Sequence, residues 1–165
     1  MVNPLAALAL WVEGFVTAYG LWGSFTVAVL ESFIFPVPTA AIIAPSTAFG
    51  IDPLLITVVA TVGSVIGAVI GYALGFYLGH PVAQRLFGDK LKGVEKWFDK
   101  YGVWAVFIAA FTPIPFKVFT WASGIFRMRL DYFILASIAG RFLQFLIAAY
   151  AGSILGPWFL GLIGV

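Results

Sequence analysis

Long apolar runs separated by short polar interruptions make up most of the chain. Residues 3 to 18 are apolar apart from Glu13, and predict a helix that is either tilted through a membrane or laid in its interface. Tyr19-Gly20-Leu21-Trp22 follows, and a second apolar run reaches Phe49, broken by Glu31 and by Pro36-Val37-Pro38. Gly50-Ile51-Asp52-Pro53 predicts a turn, with Asp52 capping a helix that starts at Pro53. That helix should run uncharged to about Gly79, where His80-Pro81 ends it. At 1.5 Å per residue it is roughly 40 Å long, enough to cross a bilayer with some tilt.

Residues 84 to 101 change character. Arg85, Lys90, Lys92, Lys96 and Lys100 interleave with Leu91, Val94, Trp97, Phe98 and Tyr101 at helical spacing, which predicts an amphipathic interfacial helix. Tyr101-Gly102-Val103-Trp104 then opens another apolar run, broken by Pro113-Ile114-Pro115. Arg127-Met128-Arg129 makes a polar turn. A last long helix is expected from about Asp131, its cap, to Leu155, with Gly156-Pro157 ending it.

The two halves repeat. Tyr-Gly-Leu-Trp at 19–22 answers Tyr-Gly-Val-Trp at 101–104, and Pro36-Val37-Pro38 answers Pro113-Ile114-Pro115. Phe49 and Phe126, Gly63 and Gly140, and Gly75 and Gly152 are all 77 positions apart. The expected fold is therefore an all-α integral membrane protein with a duplicated unit: interfacial helix, re-entrant broken hairpin, transmembrane helix. A single membrane domain covers 1–165, with one repeat over about 3–80, the amphipathic basic segment at 84–101 and the second repeat over about 101–155. The pieces flanking each Pro-x-Pro are half a membrane long. Two re-entrant hairpins would make the repeats inverted and put Arg127 and Arg129 on the side of the basic segment, as the positive-inside rule prefers; two kinked crossings would not.

Composition agrees with this pattern. The 165 residues are 62% hydrophobic and only 10% charged, too few charges to cover a soluble domain. The chain has no cysteine and one histidine, so thiolate zinc sites, iron–sulfur clusters, disulfides and histidine metal clusters are not expected. A net charge of +2 argues against nucleic acid as a partner. The opening MVNPLAALAL lacks the positive start of a signal peptide. No phosphate loop, nucleophile triad or metal-ligand spacing is present, so neither a catalytic residue nor a cofactor is expected.

Three charges lie inside apolar segments. Glu31, one turn before Pro36, reads as a proton- or cation-responsive group beside the first tip, or as half of a structural ion pair. Lys117 follows the second break, and either meets an anion or extends to the interface. Arg141 falls near mid-membrane, where it suits a phosphate gripped in bidentate fashion, or a structural pairing with Glu31. Both breaks interrupt helices. Thr39 would N-cap the helix after the first, and Thr112 the helix after the second, with Pro113 at its first position; Pro36, Pro38 and Pro115 complete the two tips. Helix starts at mid-depth attract anions, unless the breaks are simple bends. Gly63, Gly67, Gly71, Gly75 and Gly79 line one helix face, for close packing within the monomer or in a homo-oligomer.

The segments Glu31-Ser-Phe-Ile-Phe-Pro36-Val-Pro38-Thr39 and Phe111-Thr-Pro113-Ile-Pro115-Phe-Lys117-Val-Phe-Thr-Trp-Ala-Ser-Gly124 together resemble the DedA family, part of the VTT or SNARE-associated Golgi protein group. The second is most similar to the short YqaA-type branch, and Gly140-Arg141 matches the family's later Gly-Arg. The resemblance spans roughly residues 20 to 155. It implies two re-entrant hairpins and movement of lipids such as polyprenyl phosphates or phospholipids, proton-dependent in some members, with Glu31, Lys117 and Arg141 at the functional positions. Ala40 stands where an acidic residue often follows the first Pro-x-Pro. Ala110 and Phe116 stand where a better-studied branch has arginines, and Gln144 replaces a second late arginine.

These readings lead to a flippase or scramblase for an anionic lipid in the cell membrane, with the 84–101 segment cytoplasmic. A proton- or ion-coupled small-solute transporter and a non-transporting membrane scaffold are the alternatives.

Overall fold

The computed structural model describes residues 4–34 and 39–163, so Pro36 and Pro38 lie outside the described residues. It is all-helical: α1 (Pro4–Phe33), α2 (Ala40–Ala48), α3 (Pro53–Phe87), α4 (Asp89–Tyr101), α5 (Val103–Phe111), α6 (Phe116–Ile125) and α7 (Leu130–Ile163), with no strand among the described residues. Two stretches, Pro53–Gly79 and Leu130–Trp158, are long and apolar enough to cross a membrane.

The repeated Tyr-Gly-x-Trp motifs make the same bend. Gly20 (φ 48°, ψ −132°) breaks α1 internally, and Gly102 (φ 55°, ψ −126°) joins α4 to α5. Only glycine takes these angles without strain, so the second part of α1 and the start of α5 each follow a glycine joint. Asp52 caps α3 as expected, its Oδ1 accepting from the N–H of Leu55 at 2.7 Å, with Pro53 first in the helix.

Packing directions follow from which residues touch. A side chain on Gly63 would strike the Phe25 carbonyl, and one on Gly67 the Val29 carbonyl, so the second part of α1 runs alongside α3 in the same sense. In α7, Gly140 lies against Phe107 and Ala110 while Gln144 reaches Thr112, so α5 and α7 also run in the same sense. The long helices oppose each other: Arg141 meets Ser64, and Phe133 meets Tyr72. The helices after the two breaks cross over: α2 packs on α7 and α6 on α3. Gly152 of α7 presses on the Ala44 carbonyl of α2, and Gly75 of α3 on the Trp121 carbonyl of α6, positions again 77 apart in both partners.

The α3 helix is two-faced. Gly63, Gly67, Gly71 and Gly75 are spent on these contacts, and Val58, Val62, Ile66 and Ile70 form an exposed stripe on the same helix. Leu135, Ile138, Ile147 and Ile154 leave α7 similarly exposed. An apolar surface of this extent needs hydrocarbon around it.

Several boundaries differ from expectation. Pro157 lies inside α7 rather than ending it, because one lost backbone hydrogen bond is cheaper than an open helix end where water is scarce. Gly79 is not a packing glycine: it has φ 69° and breaks α3, and its place on the glycine face ends one turn early. The basic amphipathic helix begins at Asp89, after a bend at Gly88, so Arg85 belongs to the end of α3. Asp131 is within α7, ion-paired to Arg129 at 2.8 Å, and does not act as its cap. Thr112 is the C-cap of α5, its hydroxyl donating to the Ile108 carbonyl; α6 starts only at Phe116, so Pro113 is not its first residue.

Charge is segregated along the bundle. The Tyr72 hydroxyl donates to the Met128 carbonyl, and Arg127 lies over the Phe76 ring, which sets Arg127 and Arg129 at the α4 end of α3. The opposite end of α3 carries Asp52.

Gly67→Ala and Gly75→Ala should each lower the thermal unfolding temperature in detergent, by about 1–3 kcal/mol of stability, because the new methyl would sit 2.1 and 2.0 Å from backbone oxygens. Gly93→Ala, in open space on α4, should be neutral or slightly stabilising.

Candidate functional site

Arg141 sits about 17 Å along α7, and Ser64 about 17 Å along α3, so the two meet toward the middle of the apolar spans Leu130–Trp158 and Pro53–Gly79. Arg141 is 2% exposed. A charge so placed needs a partner for each part of its fork. Its Nε donates to Ser64 Oγ at 2.8 Å and its Nη1 to Gln144 Oε1 at 2.7 Å. Nη2 lies 3.0 Å from Glu31 Oε1, an ion pair by distance, yet no N–H of Nη2 is aligned on an acceptor. The rings of Phe116 and Phe145 lie 4.6 and 5.1 Å from the guanidinium carbon, supplying cation–π contacts.

Glu31 is held from its other side by the start of α2. Its Oε2 accepts from the Thr39 N–H at 3.1 Å and from the Thr39 hydroxyl. Thr39 does precede α2, but it uses its hydroxyl on the carboxylate and not as a side-chain cap. A carboxylate at a helix start is favoured by the exposed N–H groups there.

The network extends through both broken segments. Ser32 Oγ meets Ser64 Oγ at 2.7 Å and donates to the Ala28 carbonyl at 2.9 Å. Gln144 Nε2 donates to the Thr112 carbonyl at 3.3 Å, closing the open end of α5. The open end of α1 is closed by one face of α6: Lys117 Nζ donates to the Ile34 carbonyl, Thr120 Oγ1 to that of Ser32 and Trp121 Nε1 to that of Phe33, each at 3.1 Å. Positions 117, 120 and 121 share one helix face, so a single helix supplies all three.

Of the residues singled out from sequence, Glu31, Thr39 and Arg141 come together, with Thr112 joined through Gln144. Lys117 is not in the buried cluster; it is partly exposed and spends a donor on the Ile34 carbonyl. Pro113 is exposed, and Pro115 caps α6. Ser32, Ser64 and Thr120 were missed, and Gln144 was noted only as standing where the family has a second late arginine. The repeat offset offered a signal for one of them, since Ser64 is 77 positions before Arg141, but serine in an apolar helix is too common to stand out. Among the described residues no group of acidic and histidine side chains is placed to hold a metal ion.

Arg141→Met, which leaves Glu31 unpaired, should lower stability by about 3–5 kcal/mol. The double variant Glu31→Gln/Arg141→Met should recover more than half of that loss in detergent thermal unfolding. Additive losses would mean that the two side chains do not interact.

The VTT domain model matches residues 35–154. An uncharacterised protein of Methanocaldococcus jannaschii is 33% identical over 127 residues, 76% of this chain and 79% of its own length. An uncharacterised protein of Haemophilus influenzae is 42% identical over 53 residues, 32% of this chain and 28% of its own. Undecaprenyl phosphate transporter A of Staphylococcus aureus is 41% identical over 56 residues, 34% of this chain and 28% of its own. No solved structure matches the chain. With most of its length matched, and with the paired proline breaks and the Gly140-Arg141 step in place, the chain belongs to the VTT domain, or DedA, family.

Proposed function

We propose that the protein is a membrane lipid transporter, of flippase or scramblase type, that moves an anionic lipid between leaflets of the cell membrane. One observation carries the reading: a buried guanidinium within an apolar span keeps an Nη2 donor unaligned, between the start of α2 and the start of α6. A phosphate would use that donor, since its oxygens match the arginine fork. The S. aureus relative named as an undecaprenyl phosphate transporter supports a phosphate-bearing lipid as the class.

In this reading the segments broken at 36–38 and 113–115 are re-entrant hairpins. Each first arm runs parallel to the long helix that follows it, and the long helices oppose each other, so the hairpins enter from opposite faces and meet near Arg141. The repeats are then inverted, a plan that places binding sites at the midplane. The end bearing α4, Arg127 and Arg129 faces the cytoplasm. Glu31 holds Arg141 while no lipid is bound. When phosphate takes its place, Glu31 must be neutralised or find another cation, and this links the site to protons. Lys117, partly exposed and bonded to the Ile34 carbonyl, meets the arriving head group.

Because Arg141 also supports the fold, the informative variant is Arg141→Lys, which keeps the charge and loses the fork. Reconstituted into liposomes with a head-group-labelled anionic lipid, the wild type should allow an impermeant quencher to reach more label than the outer leaflet holds. Monodisperse Arg141→Lys should be at least about tenfold slower. Full rates in that variant, or lipid-independent flux of a water-soluble solute, would overturn the reading. Glu31→Gln should flatten any dependence on a proton gradient.

Single cysteines test the topology, since the chain has none of its own. Lys96→Cys and Arg127→Cys should label from the same side of the membrane; labelling from opposite sides would sink the re-entrant arrangement.

A further inference from the structure

A groove of about 300 Å³ lies between α4 and the second broken segment, outside the Arg141 network. Gly93, Val94 and Trp97 form one wall, and Pro115, Val118 and Phe119 the other. Trp97 stands edge-on to Phe119 at 6.0 Å, while Phe98 meets Phe119 and Phe126, so aromatic packing joins α4 to α6 along part of its length. Gly93 widens the remainder, with nothing within 4 Å of the place a Cβ would occupy. Lys90 is the one charged residue in the lining. It is exposed and makes no ion pair with a described residue, whereas its neighbour Lys92 pairs with Asp89 at 3.4 Å.

We propose that this groove binds one hydrocarbon chain of an anionic lipid, with the lipid's phosphate on the Lys90 ammonium. The volume is at the small end of ligand pockets and suits a single chain. The lining residues other than Lys90 are apolar or aromatic, which suits a hydrocarbon chain as the occupant. Lys90 adds charge complementarity: it lines the groove, is exposed, and can meet a phosphate at its mouth. Pro115 lines the groove, and the next residue, Phe116, stacks on Arg141. The groove is therefore one residue away from the guanidinium, and serves as a lateral holding place for the lipid. Only the ligand class rests on the proposed function.

The test uses the full-length protein in nanodiscs with three lipids carrying a diazirine in the chain: phosphatidic acid, a polyprenyl monophosphate and phosphatidylcholine. Cross-linked peptides are read by mass spectrometry. Label should concentrate in 93–97 and 115–119, about fivefold more from the anionic probes than from the choline lipid. Lys90→Gln should remove that preference and leave chain labelling in place. Gly93→Leu, which fills open space without touching the core, should remove label from 115–119. The more strongly labelled of the two anionic probes identifies the source of the phosphate. Label spread evenly over the exposed stripes of α3 and α7, or an anionic preference unchanged in Lys90→Gln, would overturn the proposal. Arg141-dependent translocation without groove labelling would overturn this inference and leave the proposed function standing. Groove labelling without translocation would do the reverse.

Discussion

The structure depends on keeping one guanidinium satisfied away from water. A buried arginine is costly unless its charge is balanced and its donors find acceptors. Four elements share that work: Glu31 of α1 balances the charge, Ser64 of α3 and Gln144 of α7 accept from Nε and Nη1, and the rings of Phe116 in α6 and Phe145 in α7 cover the guanidinium, while Nη2 lies beside Glu31 without an aligned hydrogen bond. Glu31 in turn needs Thr39, which fixes where α2 begins. Removing any one partner exposes the others to the same penalty, so fold and site are the same set of bonds.

A second constraint comes from helices that stop at mid-depth. Each stop leaves backbone carbonyls with no water to accept from. The open end of α1 is served by Lys117, Thr120 and Trp121 of α6, and that of α5 by Gln144 of α7. The cap on α1 comes from the other broken segment, and the cap on α5 from the long helix that follows in its own half. The end of α1 is thus tied to α6, far from it in the chain.

Glycine makes this geometry reachable. At Gly67, Gly75, Gly124 and Gly152 a neighbouring backbone oxygen occupies the space a Cβ would need. Such close approach brings Ser32 within 2.7 Å of Ser64 and lets short hydroxyls, rather than long charged chains, complete the network.

The all-helical class, the two long apolar helices and the Asp52 cap were legible because hydrophobic period and turn chemistry act over a few residues. So were the glycine joints, since Tyr-Gly-x-Trp occurs twice and each copy makes the same bend. Glu31 and Arg141 stood out as charges in apolar runs, and the cost of burying them demanded a partner. The sequence alone left open whether they paired with each other, because that depends on the opposed directions of α3 and α7. Tertiary structure also decided that Lys117 caps a carbonyl outside the buried cluster, that Gly79 bends where its neighbours pack, and that Pro157 stays helical. Ser64 and Gln144 gain meaning only from what lies opposite them: a hydroxyl or amide is unremarkable along a helix and decisive 2.8 or 2.7 Å from a buried guanidinium. Local patterns fix the elements, whereas polar satisfaction inside a membrane is a property of neighbours far apart in the chain.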